Sequence, residues 1–224
     1  MFYLFYFWRR NNMMINNYNF QKGSNLLALI SDQDYVERRE VLFRVINQFD
    51  QEGIHYGITF SLNLFMQGIV DDFNDIDIFV AEEDIPRMIE VMKFMHASLE
   101  KIGGNGFCKS DHFFSYMVDG VQVEIMVGFR INTYGTTYYY PLNLKELDFV
   151  QIYGKKIPLV PAEALFISYF MMIEWQPRRI HKWNLLKSYL EFNGVEFQSV
   201  FVKALTTNLP KQLRNEIKRL LANQ

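Results

Sequence analysis

The stretch FNDIDIFV, residues 73–80, sets Ile76, Ile78 and Val80 in the alternation of a half-buried strand, with Asp75 and Asp77 at the positions between. Side chains two apart on a strand leave the same face, so two carboxylates stand side by side where their charges repel. A wet strand face tolerates such a pair, and Asn74-Asp75 can equally open a turn. A divalent cation would give the pair a chemical use, because hard cations take oxygen ligands from a rigid element and cancel the repulsion. The strands and helices around this segment have to decide between these readings.

Upstream, Val41, Leu42, Val45, Ile46 and Phe49 recur at helical spacing, with Ser31 or Asp32 as a cap and Gly53 as a stop. IHYGITF reads as a short strand and SLNLFMQG as a short helix closed by Gly68. Downstream, DIPRMIEVMKFMHASLEKIGG predicts one amphipathic helix with Ile85, Ile89, Met92, Leu99 and Ile102 on a face, capped by Asp84 and ended by Gly103-Gly104. HFFSYMV and VQVEIMV flank Asp119-Gly120, a favoured two-residue hairpin turn. In the second arm Val121, Val123, Ile125 and Val127 face one way, and Glu124 faces the other. Taken alone, Glu124 also fits an exposed strand face. Residues 130–140 read as a tyrosine-rich loop, followed by a strand pair around FVQIYGKKIPLV. PAEALFISYFMMIEW, PRRIHKWNLLKSYLEF and LPKQLRNEIKRLLANQ then predict helices. The expected organisation is an N-terminal extension (1–30), an α/β core (31–160) and a C-terminal helical region (161–224).

Half of the 224 residues are hydrophobic and 17% aromatic, enough for a real core. A net charge of −2 argues against a generic nucleic-acid coat, though a local basic patch stays open. The single cysteine, Cys108, cannot form an internal disulfide and fits a cytoplasmic, reducing setting. The opening MFYLFYFWRR is too short to span a bilayer, and its charges follow the apolar run where a signal peptide puts them first. No integral membrane association is expected. The opening reads as a docked segment or as upstream sequence ahead of a start at Met13 or Met14, with a peripheral membrane contact as the alternative. His55, His96, His112 and His181 stand too far apart for a zinc site.

The three acids form a constellation: Asp75 and Asp77 on one strand, Glu124 on a later one, and a helix start at Ser61. If the two strands are neighbours, the carboxylates converge and can hold two Mg²⁺ ions, while the helix start offers N–H groups to phosphate oxygens. In this the chain resembles the nucleotidyltransferase-fold enzymes of the DNA polymerase beta superfamily, and is most similar to the minimal, antibiotic-resistance and AbiEii-like toxin groups. Their signature is a Gly-Ser at a helix start, an Asp-x-Asp about a dozen residues on, and a third acid on a later strand. ITFSLNLFMQG, NDIDIFV and VDGVQVEIM fill those places here, and YGKKIPLVPAEALFISYFMM resembles the segment leading into the family's helical tail.

The resemblance implies a nucleotidyltransferase-type mixed sheet with helices packed on it and a C-terminal helical lobe. It implies transfer of an NMP from an NTP to an acceptor hydroxyl on a small molecule, tRNA or protein, with Mg²⁺ or Mn²⁺. Asp75, Asp77 and Glu124 would hold the metal, with Glu124 as third ligand or as base; Phe60 and Ser61 would lie at the triphosphate. The family glycine is Phe60 here, and a phenyl ring is expected to cost the close backbone approach that a glycine allows. That departure keeps open a catalytically weakened binding module, within a toxin–antitoxin pair or with another RNA or protein partner. Arg178, Arg179, His181 and Lys182 are either a solvated helix start or a contact to triphosphate or an RNA acceptor, Lys182 being the candidate carried forward. Lys155 and Lys156 read as turn residues and Asp71 and Asp72 as loop acids, with Asp72 a candidate for the metal's outer shell. GGNG at Gly103 lacks the Lys-Ser/Thr of a phosphate loop. TYGTTYYY is read as packing, with stacking on a base or aminoglycoside ring as the alternative.

Overall fold

The computed structural model describes residues 20–103, 108–140 and 142–223. The apolar MFYLFYFWRR segment, and most of GGNG, lie outside them. Eight strands form one mixed sheet: β1 (Tyr56–Ile58), β2 (Ile76–Val80), β3 (Ser98–Ile102), β4 (Cys108–Val118), β5 (Val121–Thr133), β6 (Thr136–Tyr140), β7 (Asp148–Ile152) and β8 (Lys155–Leu159). Their order is β3-β4-β5-β2-β1-β8-β7, with β6 paired to the far half of β5. The β2–β5 and β1–β8 pairs are parallel and the others antiparallel. The helices are α1 (Leu26–Ser31), α2 (Val36–Gln51), α3 (Phe60–Met66), α4 (Ile85–Phe94), α5 (Ala162–Met172), α6 (Ile180–Asn193), α7 (Gln198–Leu205) and α8 (Lys211–Ala222). The predicted mixed sheet with a helical C-terminal part is thus the observed architecture.

α2 buries the five apolar residues that its spacing singled out. Asp32 accepts from the Asp34 N–H and so caps the short 3₁₀ turn Gln33–Tyr35 instead of α2 itself. At the hairpin between β4 and β5, Asp119 (φ +47) and Gly120 (φ +82) take the left-handed conformations that match strand twist. α5 is buried along its whole length, which explains why its sequence is apolar on every side. Phe166 of α5 packs against Trp183 of α6 and Phe201 of α7. Glu163, at the start of α5, accepts from the backbone N–H groups of Glu196 and Phe197 and ties down the chain entering α7. Residues 20–30 pack on the body: Phe20 meets Tyr189 edge-on, Lys22 pairs with Asp148, and the Asn25 amide donates to the Val70 carbonyl.

Two segments differ from expectation. The predicted single helix from Asp84 to Ile102 ends at Phe94, turns at His96 (φ +55) and returns as β3. Leu99 and Ile102, placed on the helix's apolar face by periodicity, are exposed on an edge strand, because ladder bonds to β4 outweigh the helical pattern. Asp84 makes no side-chain cap; its buried carboxylate accepts from the His55 N–H and faces His55 Nδ1 and Arg87. The supposed loop at 130–140 is the outer half of β5, a turn at Tyr134-Gly135, and β6. Its run of β-branched and aromatic residues favours strand pairing, and Tyr138 and Tyr140 are buried.

Candidate metal and phosphate site

Asp77 pairs with Glu124 in parallel register across β2 and β5, and Asp75 lies two residues before Asp77 on the same face. The register alone therefore brings the acids together: one carboxylate oxygen from each of Asp75, Asp77 and Glu124 lies within 4.8 Å of the others. Burial pushes the Asp77 carboxyl well above the usual range, and the charges of Asp75 and Glu124 add to that. Burial likewise raises Glu124, with Asp75 contributing. The Gln122 amide, 2.8 Å from Glu124 Oε1, opposes the rise in Glu124. Three carboxylates held this close cost free energy that a bound cation would offset. Hard oxygen donors with no histidine or cysteine among them suit Mg²⁺ or Mn²⁺ and not zinc.

A buried polar network positions the helix beside the acids. The Asn63 amide donates to the carbonyls of Ile58 and Val160, both at 2.8 Å, and Gln67 donates to Asn63 Oδ1. These bonds fix α3 to the ends of β1 and β8, while the Thr59 N–H donates to the Asp77 carbonyl. Ser61, in the first turn, reaches Asp75 Oδ1 at 3.3 Å. Phe60 has φ +46, a left-handed backbone that glycine adopts without cost. Its ring is 8% exposed and packs edge-on against Phe79, Phe129 and Tyr169. The chain thus keeps the backbone turn that a glycine would make and sends the phenyl group into the core.

Asp75, Asp77, Glu124, Phe60 and Ser61 line one cavity of about 650 Å³. Arg178, Arg179, His181 and Lys182 stand on its other side, at and just before the start of α6. Arg179 and Lys182 both lie over the Tyr169 ring, 5.4 and 5.9 Å from its centroid. Burial lowers the Lys182 ammonium pKa and Arg179 adds to this, while Asp77 and Asp75 oppose it. Arg179 and Lys182 are half-buried beside the cavity, whereas Arg178 and His181 line it while exposed to solvent. Periodicity missed Lys101, Ser110, Phe113, Ser115 and Gln122, which also line the cavity; Lys101 was hidden because β3 reads as helix, and the other four lie on β4 and β5, where no local signal marks a site. Other candidates lie elsewhere. Asp72 accepts from the Phe73 N–H and pairs with Arg38, Lys155 pairs with Asp50, and Lys156 sits over Phe149.

Comparison with solved structures places this architecture. A protein from Thermotoga maritima (TM1012), provisionally assigned as a nucleotidyltransferase, superposes with a TM-score of 0.51 at 26% identity, over 70% of this chain and 94% of that one. The complex of ANT(2'')-Ia with adenylyl-2''-tobramycin superposes with a TM-score of 0.52 at 11% identity, over 80% and 96% of the two chains. A solution structure of the same antibiotic-resistance factor gives 0.51 at 11% identity, over 67% and 83%. No protein-family model matches the chain, and no curated protein matches it significantly. The chain has the nucleotidyltransferase fold. Among the described residues no helix is long and apolar enough to cross a membrane.

Proposed function

We propose that this nucleotidyltransferase-fold protein transfers a nucleoside monophosphate from an NTP to an acceptor hydroxyl and releases pyrophosphate. The observation that carries the reading is the facing of two opposite charge clusters across one cavity: the Asp75–Asp77–Glu124 trio and the Arg178–Lys182 run. Asp75, Asp77 and Glu124 would hold Mg²⁺ or Mn²⁺. When bound, the metal neutralises phosphate charge and makes the attacking hydroxyl more acidic. Arg179 and Lys182 bind the triphosphate oxygens and draw off the charge that grows on the departing pyrophosphate. The Ser61 hydroxyl, now on Asp75, donates to a phosphate oxygen and orients it. The Glu124 carboxylate takes the proton as the acceptor O–H bond breaks. The acceptor oxygen bonds to the α-phosphorus as the bond to the bridging oxygen opens, so pyrophosphate leaves with that electron pair.

A non-catalytic binding module was kept open by the loss of the glycine at Phe60. The left-handed backbone and the packing of the ring on Phe79, Phe129 and Tyr169 support the catalytic reading, with Phe60 at the cavity wall. The test is calorimetric titration with each of the four NTPs as a non-hydrolysable analogue, with Mg²⁺ and with EDTA. Metal-dependent binding of at least one analogue, lost in a folded Asp77→Asn variant, is the expected result. Binding that is indifferent to metal and to Asp77 would refute the reading.

A further inference from the structure

The wall of the cavity formed by β3 and β4 has a charge character of its own. Asp77, Glu124, Ser115 and Lys101 lie in one lateral row across β2, β5, β4 and β3, each directly opposite the next in register. Strands are about 4.8 Å apart, so the Lys101 backbone stands roughly 10 Å from that of Glu124, with Ser115 between. Lys101 holds this place because of a register shift in β3 between Leu99 and Lys101. An unshifted ladder would set Glu100 opposite Ser115, but it is Lys101, not Glu100, that lines the cavity. Bulges of this kind re-aim side chains beside active sites. Lys101 forms no salt bridge among the described residues; its ammonium lies 5.9 Å from the Phe113 ring centroid, and its charge bears on Glu124.

Among the described residues the acids lining the cavity are Asp75, Asp77 and Glu124, all committed to the metal in the function proposed above. The residues outside that description contain no Asp or Glu, so none of them can add a side-chain carboxylate. A polycationic acceptor would meet Lys101 with no free acid to pair its ammonium groups, and repulsion with uncompensated desolvation would turn it away.

We propose that Lys101, with Ser115 and Gln122 beside it, forms an acceptor subsite for a hydroxyl compound carrying a phosphate near the reacting hydroxyl, and that Lys101 is its specificity-determining residue. Aminoglycosides are excluded by the same charge. This inference rests on the function proposed above, and the experiment separates the two. The protein is first titrated with a non-hydrolysable ATP, CTP, GTP or UTP analogue and Mg²⁺, then the loaded protein with ribose 5-phosphate, with an RNA trinucleotide ending in a free 3′-hydroxyl, and with tobramycin. One or both phosphate-bearing probes should bind, and which one does tells a free sugar phosphate from an RNA end. Lys101→Ala should weaken that binding about tenfold, the scale of one charge-assisted hydrogen bond. Lys101→Arg should restore it, and neither variant should change analogue binding. Tobramycin binding as well as the phosphate probes, no binding by either phosphate probe, or an unchanged affinity in Lys101→Ala would each overturn the subsite. If no analogue binds either, the transferase reading falls with it.

Discussion

At the scale of single residues, Asp77 and Phe60 are held in states that an isolated peptide would avoid. Asp77 is buried among like charges, so its carboxylate opposes folding until a cation arrives. Asp77→Asn is therefore expected to raise the melting temperature of the metal-free protein while removing the stabilisation that Mg²⁺ with an NTP confers by mass action. Melting curves of both proteins with and without Mg²⁺–ATP check this, and a variant that melts lower in EDTA contradicts it. Phe60 combines a left-handed backbone with a core ring. Phe60→Gly relieves about 1–2 kcal/mol of backbone strain but loses a buried phenyl group, for which truncation costs about 3–5 kcal/mol. The ring wins, so the glycine variant should be less stable by about 1–4 kcal/mol in denaturant titrations. Because the backbone already has the glycine-like turn, its affinity for a metal–NTP analogue should stay within about twofold of the parent; a tenfold gain would mean that the ring obstructs the triphosphate after all.

At the scale of elements, the short helix α3 acts as a bracket for the phosphate side of the cavity. At seven residues it is too short to persist on propensity, and it is held by Asn63 reaching two carbonyls that close the ends of β1 and β8. Replacing Asn63 by Ala removes the side-chain donor to the Val160 carbonyl and the acceptor of the Gln67 amide, while the Ile58 carbonyl keeps the Val160 N–H. A loss of about 2–4 kcal/mol in stability is expected. At temperatures where the variant stays folded, NTP-analogue affinity should fall too, because Ser61 rides on the same helix. Full affinity in a destabilised Asn63→Ala protein would show that α3 does not position the phosphates. The outer hairpin of β5 and β6 is braced in a similar way, since Glu174 beyond α5 accepts from Thr133 and from the Tyr134 N–H.

At the scale of the whole molecule, the titrating groups pull stability in opposite directions with pH. Asp77 and Glu124 have folded-state pKa values raised by burial, so the native protein binds their protons more tightly than the unfolded chain does. Stability from these two is full below the ordinary carboxylate range, about pH 4, and is lost as pH rises through their raised values. Asp84 and Glu216 are shifted down by their hydrogen-bonding partners and act the other way, losing their contribution as pH falls through their lowered values. The stability difference between Asp77→Asn and the parent should therefore grow in the variant's favour from pH 4 toward pH 8 in EDTA. Saturating Mg²⁺ should shrink or reverse it at the upper end, because the metal takes only ionised carboxylates. A difference that is flat with pH in unfolding measurements would show that Asp77 is not perturbed.

The sequence alone determined the elements whose signals are local. α2 and the Asp119-Gly120 hairpin follow from periodicity and turn chemistry, and the acids of β2 and β5 stand out because each interrupts an apolar alternation. The register of β2 with β5 is what joins those acids into one cluster. What tertiary structure decided was every quantity that depends on register or on which face is covered. Residues 98–102 read as the end of a helix, and pairing to β4 made them a strand. Residues 178–182 read as a solvated helix start or as a phosphate or RNA contact, and only the fold showed Arg179 and Lys182 over the Tyr169 ring at the cavity. The meaning of Phe60 also lay beyond the sequence, because one residue type cannot report its own φ or the direction of its ring. A one-residue shift in β3 set Lys101 in the cavity instead of Glu100, and register of that kind is fixed by the ladder as a whole.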